Sequence, residues 1–186
     1  QPSPGRKPII RMAEELLIRT SESADLAAIE ALYPEAFPEE DLLPLVRELL
    51  QETAMVISLM GVIDVQVVGH AIFTRCGDLG NGLKTALLGP VAVAQCFQRQ
   101  GVGGGMIRAG FQRLEEEGVD RVFVLGDPTY YGRFGFQADS LVYPPYPLPE
   151  EWAGAWQSKP LGGSLQTCAG TLSVPAPWRH PALWAD

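Results

Sequence analysis

The sequence predicts an α/β domain built on a mixed sheet, and three observations carry that prediction. Residues 84–93 (Lys84-Thr85-Ala86-Leu87-Leu88-Gly89-Pro90-Val91-Ala92-Val93) form a nearly continuous apolar run, the pattern of a strand buried on both faces. A helical repeat over 101–117 follows, and then a second buried run, Arg121-Val122-Phe123-Val124-Leu125; strand, helix, strand makes a βαβ unit with parallel strands. Residues 55–60 and 65–75 flank a turn region at 61–64 and read most simply as an antiparallel hairpin. With 186 residues, 46% apolar and 19% charged, the chain has room for one domain with an ordinary core, and disorder or collagen-like repeats are excluded.

The remaining elements follow in order. Residues 16–19 read as a short first strand. Thr20, Ser21 and Ser23 offer N-cap oxygens before a helix over 25–33, which Pro34 and Pro38 are expected to break. A second helix over 39–52 places Leu43, Val46, Leu49 and Leu50 at helical spacing. Residues 77–82 are a glycine-rich loop. Gly89-Pro90 lies within the apolar strand, and since proline cannot donate to a ladder, a bulge or a splayed strand is expected there. The helix over 101–117 carries Val102, Met106, Ile107, Gly110, Phe111 and Leu114 on one face, with Gly118 just past its end. After Leu141 the texture changes to prolines and all four tryptophans, a tail over 141–186 expected to pack back on the core. Residues 1–11 read as a tag or disordered extension, with Met12 opening a single domain over 12–186.

Charge and cysteine usage narrow the function classes. A net charge of −8 repels phosphate backbones and argues against nucleic-acid binding. Eleven acidic and only two basic residues (Arg19, Arg47) fall between Glu14 and Glu52. They read as solvated helix faces or, more sharply, as an acidic lip that draws in a cationic substrate. Three scattered cysteines (Cys76, Cys96, Cys168) make neither a disulfide framework nor a metal site. No secretory signal is expected, and the best apolar stretch, 54–73, is interrupted by Asp64, Gln66 and His70. The reading is a cytoplasmic protein without a membrane partner or a metal.

The chemistry concentrates in Gln98-Arg99-Gln100-Gly101-Val102-Gly103-Gly104-Gly105, between a buried strand and a helix. A helix start leaves N–H groups unpaired at the positive end of its dipole, and glycines let an anion approach them without meeting a Cβ. Arg99 could add a charged clamp. A dinucleotide fingerprint fails because Met106 stands at the sixth position and no acidic residue ends the following strand; Asp127 is a weak substitute. A P-loop fails because no Gly-Lys-Ser or Gly-Lys-Thr occurs.

What fits is Q-x-x-G-x-G, given by Gln98, Gly101 and Gly103 directly after the Val91-Ala92-Val93 strand, and then Tyr130-Tyr131-Gly132-Arg133-Phe134-Gly135-Phe136. Together these segments resemble the acetyl-CoA signature and the F-Y-x-x-x-G-F segment of the GNAT N-acetyltransferase superfamily, over about 16–139 of the chain. The resemblance implies a twisted sheet of six to seven strands with helices on both faces, strands four and five being parallel and splayed at Gly89-Pro90. It further implies acetyl transfer from acetyl-CoA to a primary amine by direct attack in a ternary complex. In that frame the backbone of Gln98, Arg99, Gln100, Gly101, Val102, Gly103 and Gly104 holds the coenzyme A pyrophosphate. Val91, Ala92 and Val93 line the pantetheine arm, pairing through the main chain of Val91 and Val93. The Val93 N–H polarises the thioester carbonyl, and Tyr131 protonates the leaving thiolate.

The chain departs from the pattern twice. Residues 86–93 contain no carboxylate to act as base, leaving His70, Asp127 or a water chain as candidates. Gly126-Asp127-Pro128-Thr129 replaces the family's asparagine and longer helix. A second reading is a coenzyme A or acyl-CoA sensor or scaffold without transfer chemistry, and a third is transfer of a longer acyl group. The acceptor is expected to be a small-molecule or peptide amine, cationic by the acidic run, and a homodimer is the family-like expectation.

Overall fold

The structure, a computed structural model, describes residues 15–80, 82–164 and 167–185. The expected extension at 1–11 lies outside them. β1 (Leu17–Thr20) is displaced by one residue from the expected strand. The chain then turns through Ser23–Asp25, where the Asp25 carboxylate accepts from the Glu22 N–H and from both Arg19 terminal nitrogens, each at 2.8 Å. α1 (Leu26–Ala36) buries Ile29, Leu32 and Tyr33 and carries Pro34 inside it. The break expected at Pro34 comes later because a proline in the last turn forfeits one ladder bond without ending the turns that precede it. α2 (Leu43–Gln51) is shorter than the expected 39–52; Pro44 falls in its first turn, where a missing N–H costs no helical bond.

The hairpin expected over 55–75 forms from β2 (Val56–Ile63) and β3 (Gln66–Arg75), paired antiparallel. Its turn is tighter than expected. Asp64 and Val65, at φ 49° and 58°, make the two-residue connection, and β2 runs on through Gly61. Positive φ at both central residues is the signature of the turn that matches strand twist. Gly61 belongs to the strand for a tertiary reason: it pairs with Gly69, and a Cβ on either would lie 3.0 Å or 2.8 Å from Val102 Cγ1. The glycine pair seats the helix that follows the cradle.

β4 (Thr85–Val93) pairs antiparallel with β3, Ala71 facing Val91 and Phe73 facing Leu88, so two β4 residues oppose one on β3. This is the bulge that Gly89-Pro90 implied; Gly89 has φ 144°, open to glycine and poor for other residues. α3 (Val102–Glu116) starts after Gly101, at φ 83°, and stops at Gly118, at φ 80°. The Gly118 and Val119 N–H groups donate back to the Glu115 and Leu114 carbonyls, satisfying two groups the helix end would leave bare. β5 (Arg121–Leu125) runs parallel to β4, but only from Thr85–Arg121 to Leu88–Val124. Beyond Leu88 the two strands part.

α4 (Pro128–Tyr131) and β6 (Gln137–Ala138) follow, then β7 (Val142–Tyr143), β8 (Trp156–Pro160) and β9 (Gly170–Thr171). The main sheet has seven strands in the order β1-β2-β3-β4-β5-β8-β6, and β7 pairs with β9 apart from it. β8 comes from the proline- and tryptophan-rich tail, where no strand was expected. Its sequence, Trp-Gln-Ser-Lys-Pro, has no alternation to announce it; its ladder is supplied by β5 and β6 on either side.

Alternate strand residues serve two cores. Ile57, Leu59, Phe73, Leu88, Val122 and Val124 pack against Ile107, Phe111 and Leu114 of α3. On the opposite face Met60, Ile72 and Ala92 meet α1 and α2, while Leu87 and Phe123 meet Trp156 and Trp184 of the tail. Helices therefore cover both faces. No helix among the described residues is long and apolar enough to cross a membrane.

Candidate functional site

Strand polarity decides which backbone groups meet the gap between β4 and β5. The Ala94 N–H donates to the Val68 carbonyl of β3. Because backbone groups alternate sides along a strand, Ala92 also turns to β3, and the N–H groups of Val91 and Val93 point the other way, to the edge that β5 has left. The two valines are where the sequence placed them. Ala92 is turned away: its backbone serves the β3 ladder and its side chain is buried against α1. The Val93 carbonyl accepts from Gln98 Nε2 at 3.2 Å, so Gln98 pins the loop to the strand end, and Gln100 Nε2 donates to Cys96 within the loop.

The loop then turns twice through the left-handed region, at Arg99 (φ 63°) and Gly101 (φ 83°), and enters α3. Gly105 N–H is the first to find its helical partner, Gly101. The preceding amides, of Val102, Gly103 and Gly104, make the open first turn. Gly103 and Gly104 are buried and crowded: a Cβ on Gly103 would lie 2.2 Å from the Tyr130 hydroxyl, and one on Gly104 would lie 2.9 Å from Arg108 Nη1. A side chain at Gly103 would collide with that hydroxyl, and one at Gly104 would force Arg108 and Phe134 to shift. The donor set, several neutral N–H groups with exposed Arg99 beside them, suits a pyrophosphate.

Tyr131 reaches the same mouth from α4. Asp127 caps that short helix by accepting from the Thr129 N–H at 2.9 Å. The Tyr131 ring lies over Gly126 at the end of β5, where a Cβ would meet Cε2 at 2.4 Å, and it stands edge-on to Phe136 and Tyr130 with centroids 5.8 Å and 5.0 Å away. Burial, with Tyr130 and Asp127 adding to it, pushes its phenol well above the ordinary value, so it keeps its proton at neutral pH. Tyr130 was assigned nothing from the sequence, yet its hydroxyl sits on the first turn of α3; the tyrosine doublet was the only available signal.

The two side chains expected as candidate bases are placed differently. Asp127 caps α4 through Oδ1 and is exposed. His70 is fully buried, with Nδ1 2.7 Å from the Tyr33 hydroxyl and Nε2 2.7 Å from Ser58 Oγ, and Ser58 is in turn bonded to Ser21. Burial lowers the His70 pKa to about 4. Between that value and the ordinary 6.5 the unfolded chain binds a proton that the folded chain refuses, so stability is complete above pH 6.5 and falls as pH drops toward 4. Unfolding free energies from denaturant titration over that range are expected to fall by up to about 3 kcal/mol more in the parent than in a His70→Gln variant. Equal losses would show that His70 does not set the acid limit.

Three comparisons with known proteins bear on this geometry. Residues 26–136 match the model of the Acetyltransferase (GNAT) family. The chain belongs to that family. An Escherichia coli K12 protein named "Uncharacterized N-acetyltransferase YjhQ" is 34% identical over 171 residues, 88% of this chain and 94% of that protein. The E. coli N-acetyltransferase YhbS, whose crystal structure is a complex with CoA, superposes with a TM-score of 0.80 at 27% identity, covering 91% of this chain and 94% of that one. A GNAT acetyltransferase from Brucella melitensis in complex with acetyl-CoA superposes with a TM-score of 0.71 at 28% identity, over 89% and 99% of the two chains. The seven-stranded sheet with β4 and β5 parallel is thus the GNAT fold, and the chain is an N-acetyltransferase by family.

Proposed function

We propose that this GNAT protein moves an acetyl group from acetyl-CoA to a primary amine by direct attack in a ternary complex. The observation that carries this reading is the continuous run of donors from the open edge of β4 into the first turn of α3. Val91 and Val93 present their N–H groups at that edge, as an added strand requires, and the amides of Val102, Gly103 and Gly104 stand at its end. Acetyl-CoA would supply an activated acyl carbon and a thiolate leaving group. The chain's own part is to hold the pyrophosphate at residues 98–104, to donate from the Val93 N–H to the acyl oxygen, and to deliver the Tyr131 proton to sulfur. With His70 sealed in the core, Asp127 or a water chain is left to take the amine proton.

For the acceptor the reading takes the cleft of about 360 Å³ between α1 and α2, where Glu39, Glu40 and Asp41 gather negative charge that suits a cationic amine. The absence of a carboxylate on β4 favours one alternative, a coenzyme A-binding sensor. Amine-dependent release of free thiol from acetyl-CoA across a panel of mono- and polyamines separates the two.

Donor binding is tested by thermal melts with acetyl-CoA, coenzyme A, NAD and ATP, each at about a hundredfold excess over a micromolar affinity. Binding at that excess stabilises by roughly 2.7 kcal/mol, or several degrees for a chain of this size. Coenzyme A and acetyl-CoA alone are expected to raise the melting temperature. A shift with NAD or ATP instead would overturn the reading.

A further inference from the structure

The cradle carries backbone donors and one exposed arginine, and Tyr131 stands at its mouth; its neighbour Tyr130 lies against the helix that opens the cradle. We propose that the Tyr130 hydroxyl is a side-chain phosphate ligand of this site, donating to a pyrophosphate oxygen of coenzyme A beside the amides of the first turn of α3; this rests on the acetyl-CoA reading above.

Position comes first. A Cβ on Gly103 would lie 2.2 Å from the Tyr130 hydroxyl but 3.6 Å from its Cζ, so the oxygen itself, not the ring, is what approaches the helix. The same point is 3.7 Å from Val93 Cγ2, which places the hydroxyl beside both the end of the β4 edge and the first turn of α3. Gly103 is the second residue of α3, and its N–H is among those without a helical partner. A phenol here adds an O–H donor to a set of N–H donors.

The neighbours hold it there and set its sign. Tyr130 stands edge-on to Tyr131 at 5.0 Å and to Phe134 at 5.4 Å, so two aromatic contacts fix the ring before any ligand arrives. Arg133 lies over the Tyr130 ring at 5.9 Å, and Arg108 lies over the Phe134 ring at 5.0 Å. Two guanidinium groups and the positive end of α3 make this corner favourable to an anion. Burial raises the phenol above its ordinary range while the two arginines pull it down, and the outcome is a raised value: a neutral donor at pH 7. A neutral donor next to cations suits phosphate better than it suits the uncharged amides of the pantetheine arm.

The test is titration calorimetry of the full chain with two probes, coenzyme A and pantetheine, which lacks every phosphate. Tyr130→Phe is expected to weaken coenzyme A binding about tenfold, the usual loss for a hydrogen bond to a charged group, while pantetheine binding stays within twofold. Tyr143→Phe, the control, at an exposed tyrosine of β7 away from the cradle, is expected to leave coenzyme A binding within twofold. Coenzyme A binding unchanged in Tyr130→Phe would overturn the inference, and so would an equal loss with pantetheine. Failure of the parent chain to bind coenzyme A would instead remove the acetyl-CoA reading, a different result from loss in the variant alone. A second pair checks the geometry without ligand: Gly103→Ala should lower the melting temperature, and adding Tyr130→Phe should restore it by removing the atom in collision. No recovery would show that the hydroxyl does not occupy this position.

Discussion

Tyr131→Phe is expected to lower the turnover number for amine acetylation by about 10²- to 10³-fold, the contribution of a positioned general acid. The ring makes its contacts with Gly126, Phe136 and Tyr130 through carbon atoms, so phenylalanine preserves the packing. Melting temperature and coenzyme A affinity should therefore stay near those of the parent, and the loss should appear in kcat rather than in KM for acetyl-CoA. The raised phenol pKa adds a pH signature. A group that keeps its proton beyond the ordinary value supports proton delivery to alkaline pH, so the parent should show no fall in kcat through pH 10 that traces to this residue. Full turnover in Tyr131→Phe, measured with an amine the parent accepts, would remove the general-acid role. Tyr130 would then be the next phenol to examine, being 5.0 Å away between ring centroids.

Gly110→Ala is expected to destabilise the fold by about 2–3 kcal/mol, although alanine is the better helix former by about 1 kcal/mol. Gly110 faces the sheet from the middle of α3, and a Cβ there would lie 2.0 Å from Cε2 and 2.3 Å from Cζ of Phe73. Phe73 is fully buried and held edge-on by Phe111 at 6.1 Å, so it has nowhere to go. The helix would have to lift from β3, and with it the cradle that opens α3. Denaturant midpoints and a melting temperature lower by roughly 5–10 °C are the readouts. Phe73→Leu in the same chain should recover part of the loss, since leucine vacates the ring edge. A Gly110→Ala variant as stable as the parent would mean that α3 does not sit this close to β3.

These two residues show different kinds of information. Tyr131 was singled out by its own sequence neighbours, because Tyr-Gly-Arg-Phe-Gly-Phe is a contiguous segment. Gly110 read only as one small residue on an apolar helix face; its partner Phe73 lies far away in the chain and no local pattern links them. Gly61 misled for the same reason. A glycine near Asp64 looks like turn chemistry, whereas its absent side chain is demanded by Val102 of α3.

The amino-acid sequence by itself determined the local architecture from β4 into α3. The strand, bulge, glycine loop and helix from residue 85 to 117 follow from apolar periodicity, proline's missing N–H and glycine's freedom at positive φ, all short-range properties. The parallel pairing of β4 and β5 followed from element order, because a crossover helix leaves no other direction. Tertiary structure alone decided the rest. It placed β8 of the tail between β5 and β6, turned Ala92 away from the gap while exposing the Val91 and Val93 amides, and bound His70 to Tyr33 and Ser58. It also set the Tyr130 hydroxyl on Gly103. Each of these depends on which distant residues meet, and residues far apart in a chain leave no periodic trace of the contact they will make.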